Sequence, residues 1–226
     1  MNKTIRVAID GPSGAGKSTL ARSAAARLNM LYVDTGAIYR TIGCAVRRRD
    51  IDPADQAAVV AALPELDIGL TYGADGLQHM ELNGEDVTAE IRLPEISRCA
   101  SVVSAYPEVR AYLLEMQRRL AREHSVIMDG RDIGTVVLPR ADVKIFLTAS
   151  PEDRARRRYE ELRQRGQETD YDTVLRDVIQ RDEHDTRRAA APLRQAEDAL
   201  LVDTTGNSLE KSLGVLLDTI KERLHA

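Results

Sequence analysis

Residues 9–19 read IDGPSGAGKST, a stretch in which Gly11, Gly16, Lys17 and Ser18 satisfy G-x-x-x-x-G-K-[ST]. Residues 4–9 (TIRVAI) are a β-branched run that predicts a buried strand, and residues 19–28 (TLARSAAARL) are strongly helix-forming. Strand, glycine turn and helix therefore follow in order. The glycines let backbone N–H groups converge on an anion, and the new helix adds the positive end of its dipole. Such a turn is a phosphate cradle, in which Lys17 reaches the β- and γ-phosphates of a nucleotide and Ser18 ligates magnesium.

The rest of the chain predicts an α/β protein built around that cradle. Its 226 residues suit one α/β core carrying insertions. A net charge of −4 argues against a general nucleic-acid or membrane-surface binder, so an anion site has to be built locally. Cys44 and Cys99 are too few for a disulfide framework and read as reduced core residues, which points to a reducing, intracellular compartment. Neither a signal-peptide core nor an apolar run of about 20 residues is found. The four histidines, His79, His124, His184 and His225, are scattered and read as surface residues.

Residues 30–33 predict a second strand, with Asp34-Thr35-Gly36 as a loop before a helix over 37–49. After a helix over 54–63 the pattern changes to LDIGLTY (66–72), LQHMEL (77–82) and EDVT (85–88), broken by Tyr72-Gly73-Ala74-Asp75-Gly76 and by Asn83-Gly84. Asn-Gly is a strong hairpin signal, so this is a small antiparallel meander inserted into the alternation. Helices follow over 93–104 and 107–123, strands over 125–128, 143–147 and 199–202, and a closing helix over 208–224. Five strands separated by helices imply a parallel sheet with its ligand site at the carboxyl ends, where residues 11–18, 34–39 and 129–132 all fall.

Residues 151–194 hold eleven arginines and eleven Asp or Glu, a net charge of zero that excludes a basic tail. Part of these arginines pair with acids one helical turn away. Arg154 and Arg158 share one helix face, as do Arg181, Asp185 and Arg188, with Gly166 between the two sets as a hinge. Two arginine-bearing helices at a hinge suit a mobile lid over phosphates, and the chemistry expected is phosphoryl transfer. A phosphate acceptor would already be ionised and would need no general base.

The stretches IDGPSGAGKST, DTGAIYR (34–40), DGRDIGTVVLP (129–139), KIFLTAS (144–150), RDEHDTRR (181–188) and APL (191–193) together resemble the bacterial cytidylate kinases, nearly end to end. The resemblance implies a P-loop kinase core with a five-stranded parallel sheet flanked by helices, a small antiparallel β insertion in the monophosphate-binding region, and a short helical lid. Residues 1–62, 105–150 and 189–226 would be core, 63–104 the insertion and 151–188 the lid of one domain. It also implies transfer of the γ-phosphoryl group of MgATP to CMP or dCMP by a cytoplasmic monomer. Gly11, Pro12, Ser13, Gly14, Ala15, Gly16, Lys17, Ser18 and Thr19, with Arg154 and Arg158, would bind ATP, and Ser18 would hold magnesium with Asp129 through water. The adenine would contact residues 204–206. Thr35, Arg40, Ser101, Arg110, Gly130, Arg131, Asp132, Arg181, Asp185 and Arg188 would bind CMP, with Lys17, Arg131, Arg181 and Arg188 acting in catalysis. Asp132 would accept from the cytosine amino group, Asp185 would take the ribose, and Arg188 would serve base or phosphate. Thr35 stands where the family often has serine. Two other readings are a P-loop kinase for another monophosphate or a metabolite hydroxyl, and a nucleotide-dependent switch. The switch would need N-K-x-D, which the sequence lacks.

Overall fold

Val7, Ala8 and Ile9 are fully buried, so the first strand is apolar on both faces, as the centre of a parallel sheet requires. The structure is a computed structural model that describes residues 4–74, 76–164 and 166–225. Its elements run β1 (Arg6–Asp10), α1 (Lys17–Leu28), β2 (Leu31–Asp34), α2 (Thr35–Arg48), α3 (Gln56–Ala62), β3 (Ile68–Tyr72), β4 (Gln78–Leu82), β5 (Glu85–Asp86), α4 (Pro94–Val103), α5 (Pro107–Glu123), β6 (Val126–Gly130), β7 (Val143–Thr148), α6 (Pro151–Gln164), α7 (Tyr171–Arg187), β8 (Leu200–Asp203) and α8 (Leu209–His225). Two sheets result: a five-stranded one in the order β2-β6-β1-β7-β8, and a separate three-stranded one, β3-β4-β5. The chain divides into two compact units, Met1–Tyr32 with Ala121–Ala226, and Val33–Leu120.

In the first unit β1 pairs in parallel with β6 and β7, and β7 with β8. Val7, Ile9, Ile127, Ile145 and Leu147 meet Leu20, Ala21 and Ala24 of α1 and Leu216, Leu217 and Ile220 of α8 in one core. Small residues on α1 let that helix lie close to the sheet. Helices α6 and α7 pack on each other through Ala155, Val174 and Val178, with Tyr159 and Tyr171 edge to face at 6.2 Å. Gly166 lies between them at φ +72°, a left-handed conformation suited to glycine.

The second unit holds the predicted meander, with β3, β4 and β5 antiparallel and Asn83-Gly84 at the β4–β5 turn. Asp75, part of the predicted β3–β4 turn, lies outside the described residues. Gly43 of α2 faces α4, where a Cβ would stand 3.0 Å from Ile96 O and Ala100 N, so the two helices touch through their backbones. One expectation is corrected here. Asp34-Thr35-Gly36 is not a loop: β2 runs directly into α2, and Asp34 is the N-cap, its carboxylate accepting from Ala37 N at 2.8 Å. The cap supplies locally what a connecting loop would otherwise have to provide.

Candidate active site

The phosphate loop leaves β1 at Gly11, whose φ is +150° and whose Cβ would lie 1.9 Å from Leu147 O, so only glycine fits there. Gly14 and Gly16 also have positive φ, and Gly16 caps α1 with no side chain bonded to the first amides of the helix. Those amides are thus available to an anion. Lys17 is buried, and its ammonium donates to Pro12 O at 2.7 Å. Burial, reinforced by neighbouring Arg131 and Arg181, brings its pKa down to about 7 against the pull of Asp129 and Asp185. The charge of a polyphosphate would reverse that balance and favour the ammonium form.

Ser18 Oγ donates to Asp129 Oδ2 at 2.9 Å, and Tyr32 Oη donates to Asp129 Oδ1 at 3.0 Å. A hydroxyl with a carboxylate behind it suits a magnesium ion that keeps most of its water ligands. Arg154 is a different kind of residue from the one its sequence position suggests. Its side chain is 3% exposed, Nε donates to Ala149 O at 2.9 Å, Nη1 to Ser13 O at 3.0 Å, and the fork closes on Asp182. It grips the phosphate loop by the main chain. Arg158 sits on the outer part of α6 paired with Glu161 at 2.7 Å. Arg157, which the sequence did not single out, donates to Thr204 O at 2.8 Å and faces Gly16.

The carboxyl end of β6 brings six expected residues together. Arg131 Nε donates to Asp185 Oδ2 at 2.7 Å, and Arg188 Nη2 lies 3.8 Å from Asp132 Oδ1. Asp132 and Asp185 are buried. Burial alone would raise the Asp185 pKa, but Arg131, with Arg181 and Arg188 beyond it, holds the carboxyl below the ordinary carboxylate value. Gly130 ends β6, and its carbonyl accepts from Arg131 Nη1 at 3.4 Å.

The remaining four lie in the second unit. Thr35 is buried at the start of α2, and Arg40 Nη2 donates to Asp34 Oδ2 at 2.9 Å. Arg92 Nη1 binds the same oxygen at 3.2 Å, a partner that no motif announced. Although burial raises the Asp34 pKa, the two guanidinium groups bring it below the ordinary value. Gln78 of β4 holds both sides of the Asp34 peptide, accepting from its N–H at 2.8 Å and donating to its O at 3.2 Å. Arg110, on α5, stacks over the Tyr39 ring at 5.3 Å and donates to Ser104 O, three residues along α4's exit from Ser101.

The model of the Cytidylate kinase family matches residues 7–222. A protein of Carboxydothermus hydrogenoformans named cytidylate kinase is 50% identical over 216 residues, covering 96% of this chain and 97% of that protein. Another of that name, from Geobacter sulfurreducens, is 48% identical over 220 residues, covering 97% and 94%. Among solved structures, an uncharacterized protein from Eubacterium ventriosum matches with a TM-score of 0.56 at 12% identity, covering 97% of this chain and 99% of that one, a likeness of fold alone. With the phosphate loop, the DGRD strand end and the arginine-rich α7 all in place, this chain belongs to the cytidylate kinase family.

Proposed function

We propose that this protein transfers the γ-phosphoryl group of ATP to CMP and dCMP, yielding ADP and the diphosphates. The observation that carries the reading is the gathering of Lys17, Arg131, Arg181, Asp185 and Arg188 at the carboxyl end of the sheet, with the carboxylate of Asp132 among them. Cations in that number suit the charge that spreads over equatorial phosphate oxygens during transfer. An acceptor phosphate is ionised at neutral pH, so the step needs no general base.

In this reading Gly11, Gly14, Gly16 and Thr19 offer loop groups to the ATP phosphates, Lys17 bridges the β- and γ-oxygens, and Ser18 with Asp129 would hold the magnesium ion. That ion would supply further charge neutralisation between the phosphates. Arg131, Arg181 and Arg188 hold the reacting phosphates, and Asp185 takes the ribose while accepting from Arg131. Thr35, Arg40, Ser101, Arg110 and Asp132 recognise the acceptor. Asp132 accepts from the cytosine amino group. A uracil carbonyl at that position would set two acceptors against each other, an unpaired contact that costs a large factor in discrimination. Residues 63–104 act as the monophosphate-binding insertion and 151–188 as a lid, in a cytoplasmic monomer that engages neither nucleic acid nor membrane. Among the described residues no helix is long and apolar enough to cross a membrane.

The test is ADP release from MgATP with CMP, dCMP, UMP, AMP and GMP in turn. Rapid turnover with CMP and dCMP, and far slower turnover with the others, is expected. Equal turnover of UMP would remove the role given to Asp132, and turnover with AMP or GMP alone would replace the acceptor.

A further inference from the structure

The segment after Asp132 is held at both ends by side chains from the central strands. At its start, Asp10, the last residue of β1, accepts from Ile133 N through Oδ1 and from Gly134 N through Oδ2, each at 2.7 Å. At its far end, Lys144 of β7 donates to Pro139 O at 2.7 Å and to Asp198 Oδ1 at 2.9 Å. Between them residues Ile133–Val137 form a π-helical turn, in which Val136 N and Val137 N both bond to the carbonyl of Asp132, at 2.8 and 3.2 Å. Such turns are uncommon and recur at functional sites.

The peptide that begins at Asp132 is therefore fixed on both sides: its own carbonyl by the turn, and the two N–H groups that follow it by Asp10. Gly134 is part of the device. A Cβ there would meet Asp10 Oδ2 at 3.3 Å and Lys144 Cδ at 3.2 Å, so glycine lets the backbone approach the carboxylate. Holding a charge here is unfavourable, since burial raises the Asp10 pKa to about 6 against the two backbone bonds, and Asp132 adds a like charge. A charge kept at such a position, with both oxygens spent on one short stretch of main chain, has a geometric purpose.

We infer that Asp10 is a positioning residue for acceptor selection: by holding the amides of Ile133 and Gly134 it sets where the Asp132 carboxylate stands, and so how strictly the enzyme separates cytosine from uracil. The inference rests on the reading of Asp132 given above. An amide cannot replace the carboxylate, because its NH2 would face one of the two N–H groups, and the turn would shift.

The experiment measures kcat and KM for CMP, UMP and ATP in wild type, Asp10→Asn, Gly134→Ala and Asp132→Asn, with a thermal melt of each. For Asp10→Asn the CMP KM is expected to rise and the CMP-over-UMP ratio of kcat/KM to fall roughly tenfold, with the ATP KM within about twofold of wild type. Gly134→Ala presses on the same contact from the opposite side and should reproduce the pattern if Asp10→Asn does not fold. A general structural role predicts instead that the ATP and CMP constants worsen together while the selectivity ratio holds, and that result would overturn the inference. If Asp132→Asn leaves the ratio unchanged, the reading of Asp132 fails and Asp10 loses its role with it. If Asp132→Asn relaxes the ratio while Asp10→Asn and Gly134→Ala do not, Asp132 keeps its role and Asp10 alone loses it.

Discussion

Replacing Arg154 by Met separates a residue that grips the loop from one that reaches the nucleotide. The apolar stem survives the change, while four donor contacts disappear: one to Ala149 O, one to Ser13 O, and a fork on Asp182. Two main-chain acceptors then lose bonds to a charged group, each worth ~1 kcal/mol or more net. Asp182 also loses its partner, at a cost reduced by the 24% exposure of its side chain. The sum is about 3 kcal/mol, which for a chain of this size lowers the melting midpoint by about 6–12 °C. Urea and thermal unfolding measure it directly, and a cycle with Asp182→Asn should give a coupling of ~1 kcal/mol or more. The ATP KM should rise a few-fold because Ser13 is released. A variant within about 1 kcal/mol of wild-type stability, with ATP binding nonetheless damaged, would refute the reasoning and return Arg154 to direct contact with ATP.

Gly11→Ala should destabilise by more than about 2 kcal/mol and abolish nucleotide binding, since the added Cβ would fall 1.9 Å from Leu147 O; a calorimetric titration with ATP and a melt report both. Asp34→Asn keeps the helix cap but removes two ion pairs, for a loss of about 2 kcal/mol at pH 7. Because the folded Asp34 pKa lies below its ordinary 3.8, the stabilisation is present above that pH and is lost on acidification through the folded value, so the gap between the variant and wild type should close below about pH 4. Ser18→Ala and Asp129→Asn should each raise the magnesium concentration needed for half-maximal rate, as read from a magnesium titration of turnover.

Much of the site was legible because backbone-dictated motifs are local. Gly11, Gly16, Lys17 and Ser18 announce a phosphate loop through spacing alone, and Asn83-Gly84 announces a hairpin, since in both cases only certain residues adopt the required φ. Asp34 and Gly36 misled for the same reason: both are turn formers, yet the helix begins at Thr35, capped by Asp34, with Gly36 lying where a Cβ would crowd Arg40 Nη1 at 3.0 Å. Among the arginines, spacing grouped Arg154 with Arg158, but burial separates them, one inside and bonded to the loop, the other outside and bonded to Glu161.

By itself, then, the sequence determined the class of fold, the phosphate loop, the meander and the residue types gathered for phosphoryl transfer, because each rests on backbone preferences or on groups close in the chain. Only the tertiary structure decided the strand order, which puts β1 between β6 and β7, the joining of Arg131 to Asp185 across 54 residues, the meeting of Arg92 with Asp34, and the hold of Asp10 on Ile133 and Gly134. Those pairings depend on which side chains burial brings within about 3 Å of each other, and no spacing along the chain encodes that distance.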